Sequence, residues 1–214
     1  VFSINGLIAD LGVSAYQFTN NNRGFSLQYD STIDMRMDIT SIKNGVTVLN
    51  NYDRENLNRI FKNHADFKKP NSITSAIIKF RQNKKINTTF DFKSIFKDFI
   101  PHSYENKFFA RLFQAIRIEV NDEIDSLKEL LKQTKELLCP KGRLVVISYH
   151  SIEDRIVKNF IKFGNFYNQP EKDFFGQKLN PFNIITKKPI TPSRLEIKMN
   201  NKSRSAKLRV CEKL

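Results

Sequence analysis

The chain has no tryptophan, only two cysteines and seven glycines in 214 residues, and its 22 acidic residues are outnumbered by 36 Lys and Arg. Each shortage excludes something. Cys139 and Cys211 stand far apart, in stretches that read as a helix end and a strand, so neither a disulfide framework nor a zinc-ligand spacing is available and a reducing compartment suits the chain. The glycines, at 6, 12, 24, 45, 142, 164 and 176, include no two close enough to shape a phosphate or cofactor loop. No apolar run approaches the roughly 18 residues that a membrane span needs, and no signal peptide is visible. A soluble, cytoplasmic protein with no membrane partner is therefore expected. The first residue is Val1, a few positions before a strand that reads as central, so a preceding segment is expected as well.

What is present is a length sufficient for one large α/β domain, or for a core with an inserted subdomain. The formal charge of +14 favours a polyanionic partner, with nucleic acid the leading candidate. The blander alternative is a Lys-, Asn- and Phe-rich composition that makes basic proteins without special purpose. Two segments carry the most information. Ala9-Asp-Leu-Gly-Val-Ser-Ala-Tyr-Gln17 and Val146-Ile-Ser-Tyr-His-Ser-Ile-Glu-Asp-Arg155 are apolar, β-prone runs that end abruptly in small, polar and ionisable residues. Buried parallel strands deliver side chains to the carboxyl edge of an α/β sheet in this way, and ligands bind there.

Along the chain, residues 7–11 read as a buried strand and 12–38 as a long functional loop without helix, with Asn20-Asn-Asn-Arg-Gly24 as its clearest turn. From Thr47 to about Pro101 the pattern turns helical. Leu49, Tyr52, Leu57, Ile60 and Phe61, then Ile73, Ala76, Ile77 and Phe80, then Phe92, Ile95, Phe96 and Phe99 predict three short amphipathic helices, broken at 68–71 and 83–89, with their phenylalanines in a core. Phe108, Leu112, Ile116, Val120, Ile124, Leu127, Leu131 and Leu138 continue at helical spacing, as one long helix or two broken near Asn121-Asp122. Cys139-Pro-Lys-Gly142 stops them. A second buried strand over 143–148, a helix over 152–163 and an irregular aromatic stretch over 164–181 follow. Ser205 to Cys211 alternates as a final strand with one charged face.

The segments quoted above, with Arg23-Gly-Phe-Ser26, Ile33-Asp-Met-Arg-Met-Asp38, Phe113-Gln-Ala-Ile-Arg-Ile-Glu-Val-Asn121, Gly142-Arg-Leu-Val-Val-Ile-Ser148, Lys188-Pro-Ile-Thr-Pro-Ser193 and Arg204-Ser-Ala-Lys-Leu-Arg209, occur in order over nearly the whole chain. Together they resemble the bacterial ribosomal small-subunit RNA cytosine-N4 methyltransferases, the RsmH (MraW) family. The resemblance implies a class I, Rossmann-like methyltransferase core that uses S-adenosylmethionine and no metal. It also implies an inserted all-helical subdomain, and methylation of N4 of one cytidine in the decoding centre of 16S rRNA on the small ribosomal subunit. The boundaries so implied are 1–45 for a partial core with the fourth strand and active-site loop, 46–106 for the insertion, and 107–214 for the rest of the core. Asp10 and Gln17 fall on the family's donor-contacting positions. The family's opening glycine-rich segment, and the acidic residue that follows it, have no counterpart, so an amino-terminally truncated core with weak donor binding by these 214 residues is expected. Where the family has a Ser-Ser pair, this chain has Ser14-Ala15.

Methyl transfer to an amide-like nitrogen needs an acceptor for the amino hydrogens and an in-line approach, mostly a matter of positioning and electrostatics. Asp10 is the candidate for orienting donor or amine, Ser14 for accepting those hydrogens, and His150 for accepting a proton or binding phosphate. For Asp10 the competing reading is a turn cap. For His150 it is a histidine bonded to neighbouring backbone, and for Glu153-Asp-Arg155 it is capping of the next helix. Arg23 and Arg36, with Asp34 and Asp38, either order their loop by ion pairs or grip RNA. Arg204, Lys207 and Arg209, with Lys202, are expected to alternate along the last strand and contact phosphates, or to serve as a solvated edge. An RNA-binding protein of the same family without catalysis is the alternative function. A DNA amino-methyltransferase is disfavoured, because Asp10-Leu-Gly-Val13 stands where an Asp/Asn-Pro-Pro-Tyr/Phe segment belongs. The sequence leaves monomer or homodimer open.

Overall fold

The computed structural model describes residues 3–97 and 100–214; Phe99, placed above in the third insertion helix, lies outside the described residues. The chain divides into two compact units, Val1–Gly12 with Ile124–Leu214, and Val13–Glu123. The expected boundaries after 45 and after 106 both fall inside the second unit. The reason is packing: Phe25, Ile33 and Met35 share one buried cluster with Val48, Leu49, Phe92, Leu112 and Ile116.

The first unit is a mixed α/β structure. Strands β1 (Ile4–Asp10), β2 (Leu138–Ser148), β5 (Phe182–Ile184) and β6 (Lys207–Lys213) form a sheet in the order β1-β2-β6-β5. β1 and β2 run parallel, while β6 is antiparallel to β2 and to β5. Val145, Val146 and Ile147 supply the β-branched run. β2 starts earlier than its apolar core suggests, because Cys139-Pro-Lys-Gly142 continues as strand through an irregularity at which Lys141 takes a positive φ. The pairing shifts there, from Ile4 opposite Leu138 to Gly6 opposite Arg143. Helix α8 (Ser151–Phe163) covers the sheet, burying Val157, Phe160 and Ile161 with Leu144, Val146, Phe182 and Cys211, and α7 (Glu123–Leu137) adds Leu127 and Leu131. Cys139 and Cys211 are both free thiols in strands, and burial pushes Cys211 up to about 12. A small hairpin, β3 (Glu171–Lys172) with β4 (Lys178–Leu179), occupies the stretch expected to be irregular. Lys202 and Arg204 do not alternate along the last strand. They lie before it, in a short 3-10 segment Asn201–Ser205 that Asn200 caps through the N–H of Lys202.

The second unit is helical. The loop read as helix-free contains α1 (Ala15–Thr19) and a 3-10 turn Asn21–Arg23. Ser14 and Gln17 make a reciprocal capping box that starts α1, a signal legible as Ser-x-x-Gln. Four helices, not three, follow: α2 (Gly45–Asn51), α3 (Arg54–Asn63), α4 (Asn71–Asn83) and α5 (Thr89–Ser94). The extra break falls at Tyr52, which is extended, and at Asp53, whose carboxylate accepts the Asn56 N–H and restarts the helix. The expected breaks at 68–71 and 83–89 are present. α6 (His102–Asn121) ends at Asp122, whose left-handed conformation (φ 49°) separates it from α7. Phe67, Phe92, Phe96, Phe108, Phe109 and Phe113 meet at centroid distances of 5.3 to 6.1 Å, mostly edge to face, each pair contributing about 0.5–1.5 kcal/mol beyond its buried area.

Candidate active site

In the first unit, the parallel register sets Asp10 opposite Ile147, and the Leu11 N–H donates to the Ile147 carbonyl at 3.0 Å. The carboxyl ends of β1 and β2 thus emerge side by side, as expected of paired strand ends. Asp10 is exposed there. Tyr149, one residue beyond β2 and half-buried, lies near enough to Asp10 for the carboxylate to influence its phenol. Burial, then Asp10, then Glu153 raise the Tyr149 pKa, so the phenol keeps its proton. Gly12 turns the chain away from the strand end at φ 91°, a conformation that suits glycine, with the Tyr149 ring beside it. Tyr149 was not among the expected site residues, although it stands at the same strand end as His150.

His150 caps α8. Its Nδ1 accepts the Glu153 N–H at 3.4 Å, and Glu153 Oε2 accepts the N–H groups of Tyr149 and His150 at 3.0 and 3.3 Å. With Nδ1 accepting, the ring proton sits on Nε2, which is buried 3.2 Å from Glu153 Oε1 but without a hydrogen-bond partner among the described residues. Glu153 is itself buried, so His150 and Glu153 together fix the strand-to-helix turn that presents Tyr149. Asp154, one residue on, is buried and takes Arg209 Nε at 2.6 Å and Lys207 Nζ at 3.2 Å. Burial works to raise the Asp154 pKa, but Arg209 and Lys207 overcome it and hold the carboxyl below its usual range. Arg209 is only 7% exposed and Lys207 half-buried, whereas Arg204 and Lys202 are exposed.

In the second unit, Gln17 Oε1 accepts the Ser14 N–H at 2.9 Å and the Ser14 hydroxyl at 3.3 Å, so both expected site residues shape the start of α1. Arg36 is committed to its own loop. It makes a two-pronged contact with Asp34, Nε to Oδ1 at 2.6 Å and a terminal nitrogen to Oδ2 at 3.0 Å, and its other terminal nitrogen donates to the carbonyls of Ile39 and Ser41. Arg23 donates to the Arg36 carbonyl. Of the two readings for these arginines, ordering of the loop is the one with visible contacts. Asn121 completes the clamp, donating to the Met35 carbonyl at 2.7 Å and accepting the Met37 N–H at 2.6 Å. A buried carboxylate that sequence reasoning passed over, Glu119 on α6, collects the Tyr52 hydroxyl (2.8 Å), Arg59 (2.7 Å) and His64 Nε2 (3.3 Å). Burial would raise its pKa, yet His64, Arg59 and Tyr52 bring it down to about 2.

Comparison with known proteins relates the sequence to one family. The sequence profile of the MraW methylase family matches residues 1–214. The chain is 47% identical over 211 residues to the ribosomal RNA small subunit methyltransferase H of Parabacteroides distasonis, covering 99% of this chain and 69% of that protein. It is 48% identical over 210 residues to the protein of the same name from Flavobacterium psychrophilum, covering 98% of this chain and 72% of that one. A profile spanning the whole chain and relatives at this identity leave one conclusion: the chain belongs to the MraW methylase family.

Proposed function

We propose that this protein is a small-subunit ribosomal RNA methyltransferase that uses S-adenosylmethionine to methylate N4 of one cytidine in the decoding centre of 16S rRNA. Family membership supports methyl transfer, and the names of the relatives support an rRNA substrate. The single observation that carries the chemical reading is Asp10, an exposed carboxylate where two parallel strands end. Such a group fits a donor that is cationic at sulfur and at its amino group, and when bound that donor supplies an electrophilic methyl.

This chain's part is to position and to accept hydrogens. The cytosine amino nitrogen is a poor nucleophile because its lone pair is delocalised into the ring. A carboxylate accepting an N–H hydrogen localises that pair and aims it, and the exposed Asp10 carboxylate offers such an acceptor. Tyr149 stands beside this strand end, its ring next to Gly12. His150 acts through the turn it caps, as a positioning residue. Ser14 and Gln17 act through α1. The Gln17 carbonyl oxygen is taken by the cap. Arg204, exposed, is the phosphate-contacting candidate, whereas Lys207 and Arg209 contribute by pairing with Asp154.

Unmodified small ribosomal subunits incubated with the protein and saturating S-adenosylmethionine, then digested to nucleosides, should yield N4-methylcytidine by mass spectrometry. Asp10→Ala should abolish the product while leaving the urea midpoint unchanged. A folded, active Asp10→Ala variant removes Asp10 from the mechanism. RNA binding by the wild type without product would leave an RNA-binding protein of the family in place of an enzyme.

A further inference from the structure

Residues 164–181 build a projection with a defined tip. α8 ends at Gly164 in the left-handed conformation, and Phe166 stacks on Phe160 at 5.3 Å and 20°. Asn180 Nδ2 donates to the carbonyls of Ile161 and Lys162 at 3.1 and 3.2 Å, tying the far end of the segment back to α8. From that base β3 and β4 form the stem, with Lys172 opposite Lys178. Asp173 closes the tip. Its carboxylate accepts the N–H groups of Phe175 (2.9 Å) and Gln177 (2.8 Å), and its carbonyl accepts the Gly176 N–H (3.0 Å). Gly176 supplies the positive φ of 80°. The result holds Phe174 and Phe175 outward at 98% and 85% exposure, ring centroids 5.7 Å apart and planes at 89°.

Scattered exposed apolar residues are ordinary, but here a hydrogen-bonded turn fixes two adjacent rings in water, where polar residues would serve a solvent loop better. Their π faces stand on a stem bearing the exposed Lys172, in a chain of net charge +14. Aromatic faces among cations are the chemistry of unpaired nucleotides, whose bases stack while their phosphates meet the charge. We propose that the 173–177 tip is a stacking finger for unpaired bases of ribosomal RNA, a proposal that rests on the rRNA methyltransferase reading. The exposed Lys172 on the stem and the net charge of +14 favour a polyanion over an apolar protein groove.

The test measures binding of the protein to a fluorescent RNA of about ten unpaired nucleotides, and to its fully paired duplex, by anisotropy. Replacing both rings (Phe174→Ala with Phe175→Ala) should weaken single-strand binding at least about tenfold, because stacking is lost at each ring, and should leave duplex binding unchanged. The double Trp variant should retain wild-type affinity. The double Leu variant, apolar and bulky but without a π face, should bind like the alanine one. Leucines that bind like wild type, or alanines that lose nothing, would overturn the finger. So would alanines that bind RNA normally yet methylate intact subunits poorly, which would indicate a protein contact. Methyl transfer by the wild type, run in parallel, separates the two proposals: a stacking pattern without product sinks only the enzymatic reading, and product without the pattern sinks only the finger.

Discussion

Glu119 illustrates how a single residue can carry a pH dependence that its sequence context does not announce. With its pKa brought down from 4.5 to about 2, it contributes stability that is fully present above about pH 4.5 and is lost as pH falls through about 2. The shift corresponds to about 3 kcal/mol of preference for the folded state at neutral pH. Urea titrations at a series of pH values should therefore show stability falling from pH 4.5 to 2, and Glu119→Gln should be less stable at pH 7 with a flatter slope across that window. An unchanged slope would remove Glu119 as the source. Nothing marks Glu119 in the one-dimensional pattern, because its partners Tyr52, Arg59 and His64 lie 55 to 67 residues away. Asp10 is the opposite case. An apolar run that stops at an acid is a local signal, and the structure leaves that acid exposed at the expected edge. Arg209 was visible as a cation on an alternating strand, yet its burial against Asp154 depends on β6 lying beside β2, a pairing no periodicity encodes.

At the scale of elements, capping signals account for most of the differences between expectation and structure. Ser14-x-x-Gln17, Asn44-x-x-Thr47 and Thr88-x-x-Asp91 each form a reciprocal cap, and Asp53 restarts a helix. Apolar spacing alone ran α2 and α3 together and left α1 unread. The end of α8 offers a direct test. Gly164 has φ 71°, and a Cβ there would lie 2.6 Å from the Pro181 ring. Gly164→Ala should cost about 1–2 kcal/mol for the left-handed conformation, with an added penalty from the ring contact. The urea midpoint should fall accordingly. Because Gly164 begins the segment that supports the Phe174–Phe175 tip, the same substitution should also weaken single-strand RNA binding. A midpoint unchanged from wild type would show that the turn relaxes freely.

For the whole molecule the governing quantity is charge. A net +14 makes RNA affinity steeply salt-dependent, each phosphate contact adding about −0.7 to the slope of log K against log salt for single strands. The exposed Lys202 and Arg204 are expected to carry such contacts. Lys202→Ala and Arg204→Ala should each lower the slope by about 0.7, whereas the double alanine variant at Phe174 and Phe175 should weaken binding at an unchanged slope. Equal slopes for all variants would place the phosphate contacts elsewhere. Among the described residues no helix is long and apolar enough to cross a membrane.

The sequence by itself determined the family, the α/β class of the first unit, the helical character of the second and the two strand ends. All of these follow from local periodicity, from abrupt apolar-to-polar transitions and from motif order along the chain. Tertiary structure alone decided that the Tyr149 ring lies beside Gly12, that Arg209 is buried against Asp154 and that Arg36 spends its guanidinium on its own loop. It also decided that residues 13–45 share a core with the helices after them. Each of these depends on which distant segments pack together, and a hydrogen-bonding side chain finds its partner only once that packing has brought the partner within about 3 Å.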